Sequence, residues 1–221
     1  MPFKLNGKFF SFLGQFANFI ILNLLCIVCS LPIITAGPAI CSLYRCMMKI
    51  SKKEDIHPFN EFFHGFRDNF KQGCILQLLM LLIGFFLYLD LKLVLPSFSS
   101  SMLFKILTCF FMMLGLVFLL TLTMLYPVQA QFSNTIFGTL KNALLLTVSH
   151  LPYTVVMLLL NLLPVILLLV WMNGFLFMVP FYIFLGFSVT CYLNCFFTKK
   201  IFRPYLPEDA SVSMSAKTNR G

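Results

Sequence analysis

The sequence predicts an all-α fold, a polytopic bundle of transmembrane helices, and two observations carry that reading. Of 221 residues, 60% are hydrophobic and only 10% are charged, whereas a soluble domain carries roughly 25% charged residues. So few charges cannot cover the surface of a water-soluble fold of this size, and the apolar excess must face lipid. The charges that do occur sit between long uncharged runs: Phe9 to Tyr44 is 36 residues, Gln72 to Leu89 is 18, Ile106 to Leu140 is 35 and Asn142 to Thr198 is 57. A span needs about 20 residues, so the chain has room for five or six. Unpaired backbone groups in hydrocarbon cost several kcal/mol each, which makes these runs helices. The strand alternation of a membrane barrel is absent.

The first span reads from about Phe9 to Ile34. Lys4 and Lys8 ahead of it resemble a signal peptide, but the apolar run is too long and Pro38 spoils the small-residue site at Ala36 and Gly37, so an uncleaved signal-anchor is expected. Pro32, Gly37 and Pro38 are expected to break the helix near the outer interface, because proline removes an N–H and glycine permits a sharp turn. Pro38 to Ile50 then forms a short, tilted return helix. Its Arg45, Lys49 and Lys52 share one face and are expected to snorkel to the cytoplasmic interface.

Residues 51–71 are the one polar internal segment. Asn60 is expected to cap an amphipathic elbow helix ending at Lys71, with Phe59, Phe62, Phe63, Phe66 and Phe70 on one face and Glu61, Arg67, Asp68 and Lys71 more polar-facing. Arg67 and Lys71, one helical turn apart, make this elbow the expected docking surface, with Asn69 at its end. The next spans run from Gly73 to Leu95, stopped by Pro96 and the Ser99 to Ser101 loop, and from Met102 to Tyr126, stopped by Pro127. Ser133 to His150 reads as a second elbow. Pro152 begins a span ending near Trp171, and the last runs from Phe175 to Thr198, closed by Lys199, Lys200 and Arg203. Residues 1–203 thus form one transmembrane domain, and the polar tail 204–221 reads as disordered and cytoplasmic.

The basic residues set the orientation. If the return helix crosses, there are six crossings, both termini are cytoplasmic, and only Lys92 and Lys105 of the 16 Lys and Arg lie outside, leaving 14 inside. Five spans with a re-entrant segment is the alternative. The formal charge of +9 is therefore a topology signal. Nucleic acid is excluded as a partner because no basic stripe is interleaved with exposed aromatics; the lipid bilayer is the expected one.

Little in the chain suggests chemistry. Asp90 is the only acid within a span, and its depth near the outer interface favours a structural hydrogen bond over a substrate or ion role. Asn23, Asn161 and Asn194 lie within spans and are expected to bond across helices. The eight cysteines sit nearly all in apolar runs, without the histidine or acid that a metal site would add, and read as small packing residues. No nucleophile elbow, phosphate loop, H-E-x-x-H or G-x-G-x-x-G occurs. No cofactor and no enzymatic activity are expected.

Asn23-Leu-Leu-Cys26, Ser30-Leu-Pro-Ile-Ile-Thr-Ala-Gly-Pro-Ala39 and the basic helix after it resemble the YesL-like bacterial integral membrane proteins. Phe62-Phe-His-Gly-Phe-Arg-Asp-Asn-Phe-Lys71, Tyr88-Leu-Asp90, Tyr126-Pro127, Lys141-Asn-Ala-Leu-Leu-Leu146 and Ser149-His-Leu-Pro152 continue the resemblance, which covers about residues 5 to 206. That family is a domain of unknown function often found beside carbohydrate uptake systems in Gram-positive bacteria. The resemblance implies a transport-associated protein of the bacterial cytoplasmic membrane and supplies no catalytic residues. An accessory to solute uptake within a membrane transport complex is the expected function. A small transporter or channel is the alternative, and a membrane enzyme the third.

Overall fold

A computed structural model describes residues 7–95, 102–170, 180 and 182–205, and every element among them is helical. The expected loop at Pro96 to Ser101, the anchor Trp171, the start of the last span at Phe175 and the tail from residue 206 lie outside the described residues.

Helix α1 (Gly7–Ser30) ends four residues before the expected Ile34. Pro32 follows with extended backbone, and a 3₁₀ turn (Ile33–Thr35) leads into α2 (Ala36–Ser51). The break is laced by Thr35, whose hydroxyl donates to the carbonyls of Cys29 at 2.7 Å and Pro32 at 2.9 Å. Only the Pro32 half of the expected break is a break. Gly37 and Pro38 lie in the first turn of α2, where backbone N–H groups have no helical partner and a proline costs little.

The largest departure from expectation is α2 itself. Its 16 residues reach only about 24 Å, and it carries two cations, yet it is the hub of the fold. It packs on α1, on α3 (Pro58–Asp68), α4 (Phe70–Val94), α5 (Met102–Gln131) and α8 (Phe187–Phe202). Ala39, Cys41, Cys46 and Met47 are wholly buried. Small residues make this approach possible. A Cβ on Gly37 would lie 2.6 Å from the carbonyl oxygen of Gly73 on α4, and one on Gly65 of α3 would lie 2.9 Å from the Ser42 hydroxyl oxygen.

The carboxyl end of α2 is closed by backbone geometry. Lys53 adopts φ 58°, its N–H donates to the Ile50 carbonyl at 2.9 Å, and the Glu54 N–H donates to the Lys49 carbonyl at 3.2 Å. This crossed pair is the Schellman arrangement, with a lysine where glycine is usual.

Helices α4 and α5 are long and apolar enough to cross a bilayer, and α6 (Ile136–Ser149) with α7 (Leu151–Val170) makes a third such unit if the pair, bent by 105°, is one span. Only 11% of the apolar window of α4, and 11% of that of α5, is buried. Leu78, Leu82, Phe85 and Phe86 on α4, and Met102, Phe110 and Met113 on α5, face outward. An apolar surface of that extent needs lipid or protein cover, and the chain is thereby membrane-associated. Pro127 does not stop α5, which continues to Gln131. The proline costs the Thr123 carbonyl its helical donor only one turn before the helix ends.

Candidate functional site

The elbow is built from α3, which starts at Pro58 with His57 as its cap residue, so the expected cap Asn60 lies inside the helix. It ends at Asp68, short of Lys71. Asn69 turns the chain: its side-chain amide donates to the Gly65 carbonyl at 2.9 Å, and its own carbonyl accepts the Gly73 N–H at 2.7 Å, already part of α4. Phe70 and Lys71 therefore belong to α4. Of the five expected phenylalanines only Phe62 is fully buried, and Phe66 partly so. Phe59, Phe63 and Phe70 remain exposed.

Two of the cations expected to share one face of the return helix, Arg45 and Lys49, are paired with acids of α3. Arg45 bonds Asp68 of α3 at 2.8 Å and approaches Glu61 at 3.7 Å; Lys49 donates to Glu61 at 2.5 Å. The Ser42 hydroxyl adds a buried bond to the Phe62 carbonyl at 2.5 Å. These contacts clamp the elbow to the hub helix. Arg67 and Lys71 are exposed and make no ion pair among the described residues, so the cation pair singled out from the sequence stays available at the surface. His64 is largely exposed, with Nδ1 2.9 Å from Asp68.

Asp90 lies half-buried on α4 and has no hydrogen bond or ion pair among the described residues. Bonds between helices are made by other groups.

Those groups are asparagines. Asn23 of α1 donates to the carbonyls of Tyr182 at 3.3 Å and Ile183 at 2.6 Å, and accepts the Ser188 N–H at 2.8 Å. Residues Tyr182–Gly186 form a π-helical turn before α8, whose wider winding displaces carbonyls from their usual donors. Asn194 of α8 donates to the Tyr44 hydroxyl at 3.1 Å and to Asn161 Oδ1 of α7 at 2.8 Å. The cross-helix role expected of Asn23, Asn161 and Asn194 is observed. Their partners Tyr44 and Ser188 gave no sequence signal, because Tyr44 is 150 residues from Asn194 and Ser188 is 165 residues from Asn23.

Tyr44 and Asn161 also line a cavity of about 600 Å³ between α1, α2, α5, α7 and the start of α8. Among the described residues no lysine, arginine, aspartate, glutamate or histidine lines it. Cys26 and Cys191 contribute to its wall, and with Cys41, Cys46 and Cys195 are buried, as packing residues are. Among the described residues no group of three or more His, Cys, Asp or Glu side chains could hold a metal ion.

At the opposite corner of the hub, Lys199 donates to the Ser51 carbonyl at 2.5 Å, tying the end of α8 to the end of α2. Burial, reinforced by the nearby Lys52 ammonium, holds the Lys199 pKa below its ordinary value.

The most telling segment of the chain is also the part with recognisable relatives. Residues 19–91 match the sequence profile of a family described as "Protein of unknown function, DUF624". That stretch holds the Pro32 break, the hub helix, the clamp and most of α4. The chain is also 28% identical over 176 residues to "Uncharacterized protein YteU" of Bacillus subtilis (strain 168), a match covering 79% of this chain and 76% of that protein. No solved structure matches. The comparisons thus bear out the sequence resemblance in its coarser form, a distant relationship to bacterial proteins of unknown function.

Proposed function

We propose that this is a multi-pass protein of the bacterial cytoplasmic membrane, with six crossings and both termini cytoplasmic, that acts as a non-enzymatic accessory to solute uptake. Carbohydrate is the solute class implied by the family resemblance. The observation that supports an accessory over a transporter is where the polar groups go. Asn23, Asn194 and Asn161 each bond a neighbouring helix, and the polar groups with capacity to spare, Tyr44 and Asn161, gather at one side of a cavity with no charged residue among its described lining, so they do not mark out a path. A path for a hydrophilic solute needs polar groups left free along its length. On this reading the exposed face of α3 and the start of α4, with Phe59, Phe63, Arg67 and Lys71, meets the transport complex. The α2–α3 clamp holds that face rigid.

The test is co-purification of the tagged full chain with a membrane uptake permease, in the wild type and in a variant carrying Arg67→Glu and Lys71→Glu. Retention of the permease by the wild type and its loss in the variant, at unchanged expression, is the expected result. Solute flux into liposomes holding this protein alone would favour the second reading, a small transporter.

A further inference from the structure

We propose that the cavity beside Tyr44 and Asn161 is a binding site for a neutral, single-chain lipid whose head carries a hydroxyl or carbonyl group, of the monoacylglycerol or long-chain alcohol class. The inference does not rest on the uptake reading and stands on three features of the wall.

The first is hydrogen-bonding capacity left idle in a buried place. Asn194 is wholly buried, and its Oδ1 has no partner. Exchanging the two ends of that amide does not remove the deficit. Oδ1 would then stand 2.8 Å from Asn161 Oδ1, two acceptors in contact, unless the Asn161 amide turned as well, and Asn194 Nδ2 would in either case be left over. Tyr44 and Asn161, which bracket this amide, both face the cavity. As placed, the Tyr44 O–H and the Asn161 amide nitrogen donate to nothing among the described residues. Pro164, also on the wall, deprives the Leu160 carbonyl of its helical donor. One side of the cavity therefore offers two free donors, the Tyr44 O–H and the Asn161 amide, with the second lone pairs of the same two side chains as acceptors. An unmade bond in such a place is costly, and a ligand that makes it gains the difference.

The second feature is that the other hydroxyls on the wall each already take part in a hydrogen bond, and the two thiols there, Cys26 and Cys191, are weak partners. Thr123 donates to the Leu119 carbonyl, Tyr126 to Gln77, and Tyr182 shares a hydrogen bond with Thr190. The remainder is apolar, including Leu43, Leu122, Leu158, Leu162 and Phe187. A sugar has hydroxyls all round and would leave most of them unpaired here. An ionised head would meet no countercharge. The ligand that fits has one small neutral head and a hydrocarbon body.

The third feature is size and access. A space of about 600 Å³ holds roughly twenty water-sized groups, which suits one chain and a small head. Val165, Ile183 and Phe187 on its wall are each about half exposed, so the approach is apolar and suits a molecule arriving from the bilayer.

The experiment uses the full chain in phosphatidylcholine nanodiscs and a monoacylglycerol bearing a diazirine on its acyl chain, with cross-linked peptides mapped by mass spectrometry. The expected result is saturable labelling, one probe per protein, on α5 and α7 near Leu119 and Leu162. Competition by 1-monooleoylglycerol, and none by oleate, phosphatidylglycerol or glucose, is expected. Asn161→Leu should weaken labelling about tenfold, the effect of losing one buried bond. Leu119→Trp, which fills the space, should abolish it. Non-saturable labelling, or equal competition by the charged lipids, means ordinary lipid contact and overturns the proposal. Competition by glucose places the ligand in water and overturns it too. Should either variant fail to fold, the competition series on the wild type decides alone.

Discussion

Gly37 and Gly73 meet backbone to backbone: a Cβ on Gly37 would stand 2.6 Å from the Gly73 carbonyl oxygen, and one on Gly73 would stand 2.9 Å from the ring nitrogen of Pro38. The contact places the start of the hub helix against the start of α4, and everything packed on α2 inherits the placement. Backbone atoms cannot swing aside as a side chain can. Gly37→Ala is therefore expected to lower stability by about 1–3 kcal/mol, the usual cost of overpacking, and Gly73→Ala by a similar amount. Gly115 on α5 is the control, since a Cβ there meets nothing within 4 Å. Its replacement by alanine should be neutral or add up to about 1 kcal/mol through helix propensity. Unfolding in mixed micelles with increasing dodecyl sulfate measures all three. Equal effects at Gly37 and Gly115 would show that the close approach does not matter.

The clamp between α2 and α3 predicts a measurable coupling. Glu61 is 23% exposed and sits between Lys49 and Arg45, where solvent screens the pair only in part. Glu61→Gln is expected to cost about 1 kcal/mol. A double-mutant cycle with Lys49→Met should return a coupling of about 0.5–1 kcal/mol that shrinks as ionic strength rises. A coupling near zero would mean that Lys49 and Glu61 are neighbours without interacting.

Lys53 predicts a gain. It holds the left-handed position that ends α2, with φ 58°. An L residue with a side chain pays roughly 1 kcal/mol there, and glycine does not. Lys53→Gly should raise stability by up to about 1 kcal/mol, read in the same titration. A loss instead would show that the lysine side chain makes a contact worth more than its backbone strain.

Much of this architecture is legible in the sequence, but unevenly. Helices α4 and α5 follow from uncharged runs alone, because an apolar helix of that length announces itself. The Pro32 break is legible for a local reason, the chemistry of one residue. The hub is not. Arg45 and Lys49 look like cations bound for water until Glu61 and Asp68 are known to pack beside them, and that pairing is tertiary. Pro38 and Pro127 mislead because proline's cost depends on its place in a helix: low in the first turn of α2 and modest near the end of α5. At the candidate site, Asn161 and Asn194 stand out as polar residues among apolar ones. Tyr44 does not, since only the fold brings it to Asn194, 150 residues away.

Asn23 predicts both a cost and a location. Its side chain is wholly buried and serves three backbone groups at once, the carbonyls of Tyr182 and Ile183 and the N–H of Ser188. All three belong to the π-helical turn and the helix it opens. Leucine has nearly the same shape and can make none of these bonds. Asn23→Leu is expected to cost about 1–3 kcal/mol, because the buried Ser188 N–H and two partly buried carbonyls lose their partner. Aspartate would keep an acceptor for Ser188 but place its other oxygen against two carbonyls, so Asn23→Asp should be no better tolerated. The loss should be local before it is global, with faster amide hydrogen exchange across residues 182–190 and little change in α4 or α5. If α8 can rewind as a regular α-helix, the carbonyls regain donors within the helix and Asn23→Leu becomes nearly neutral. A neutral result with unchanged exchange would thus show that the turn is not held by Asn23, whereas a local loosening ties α1 to α8 through one amide.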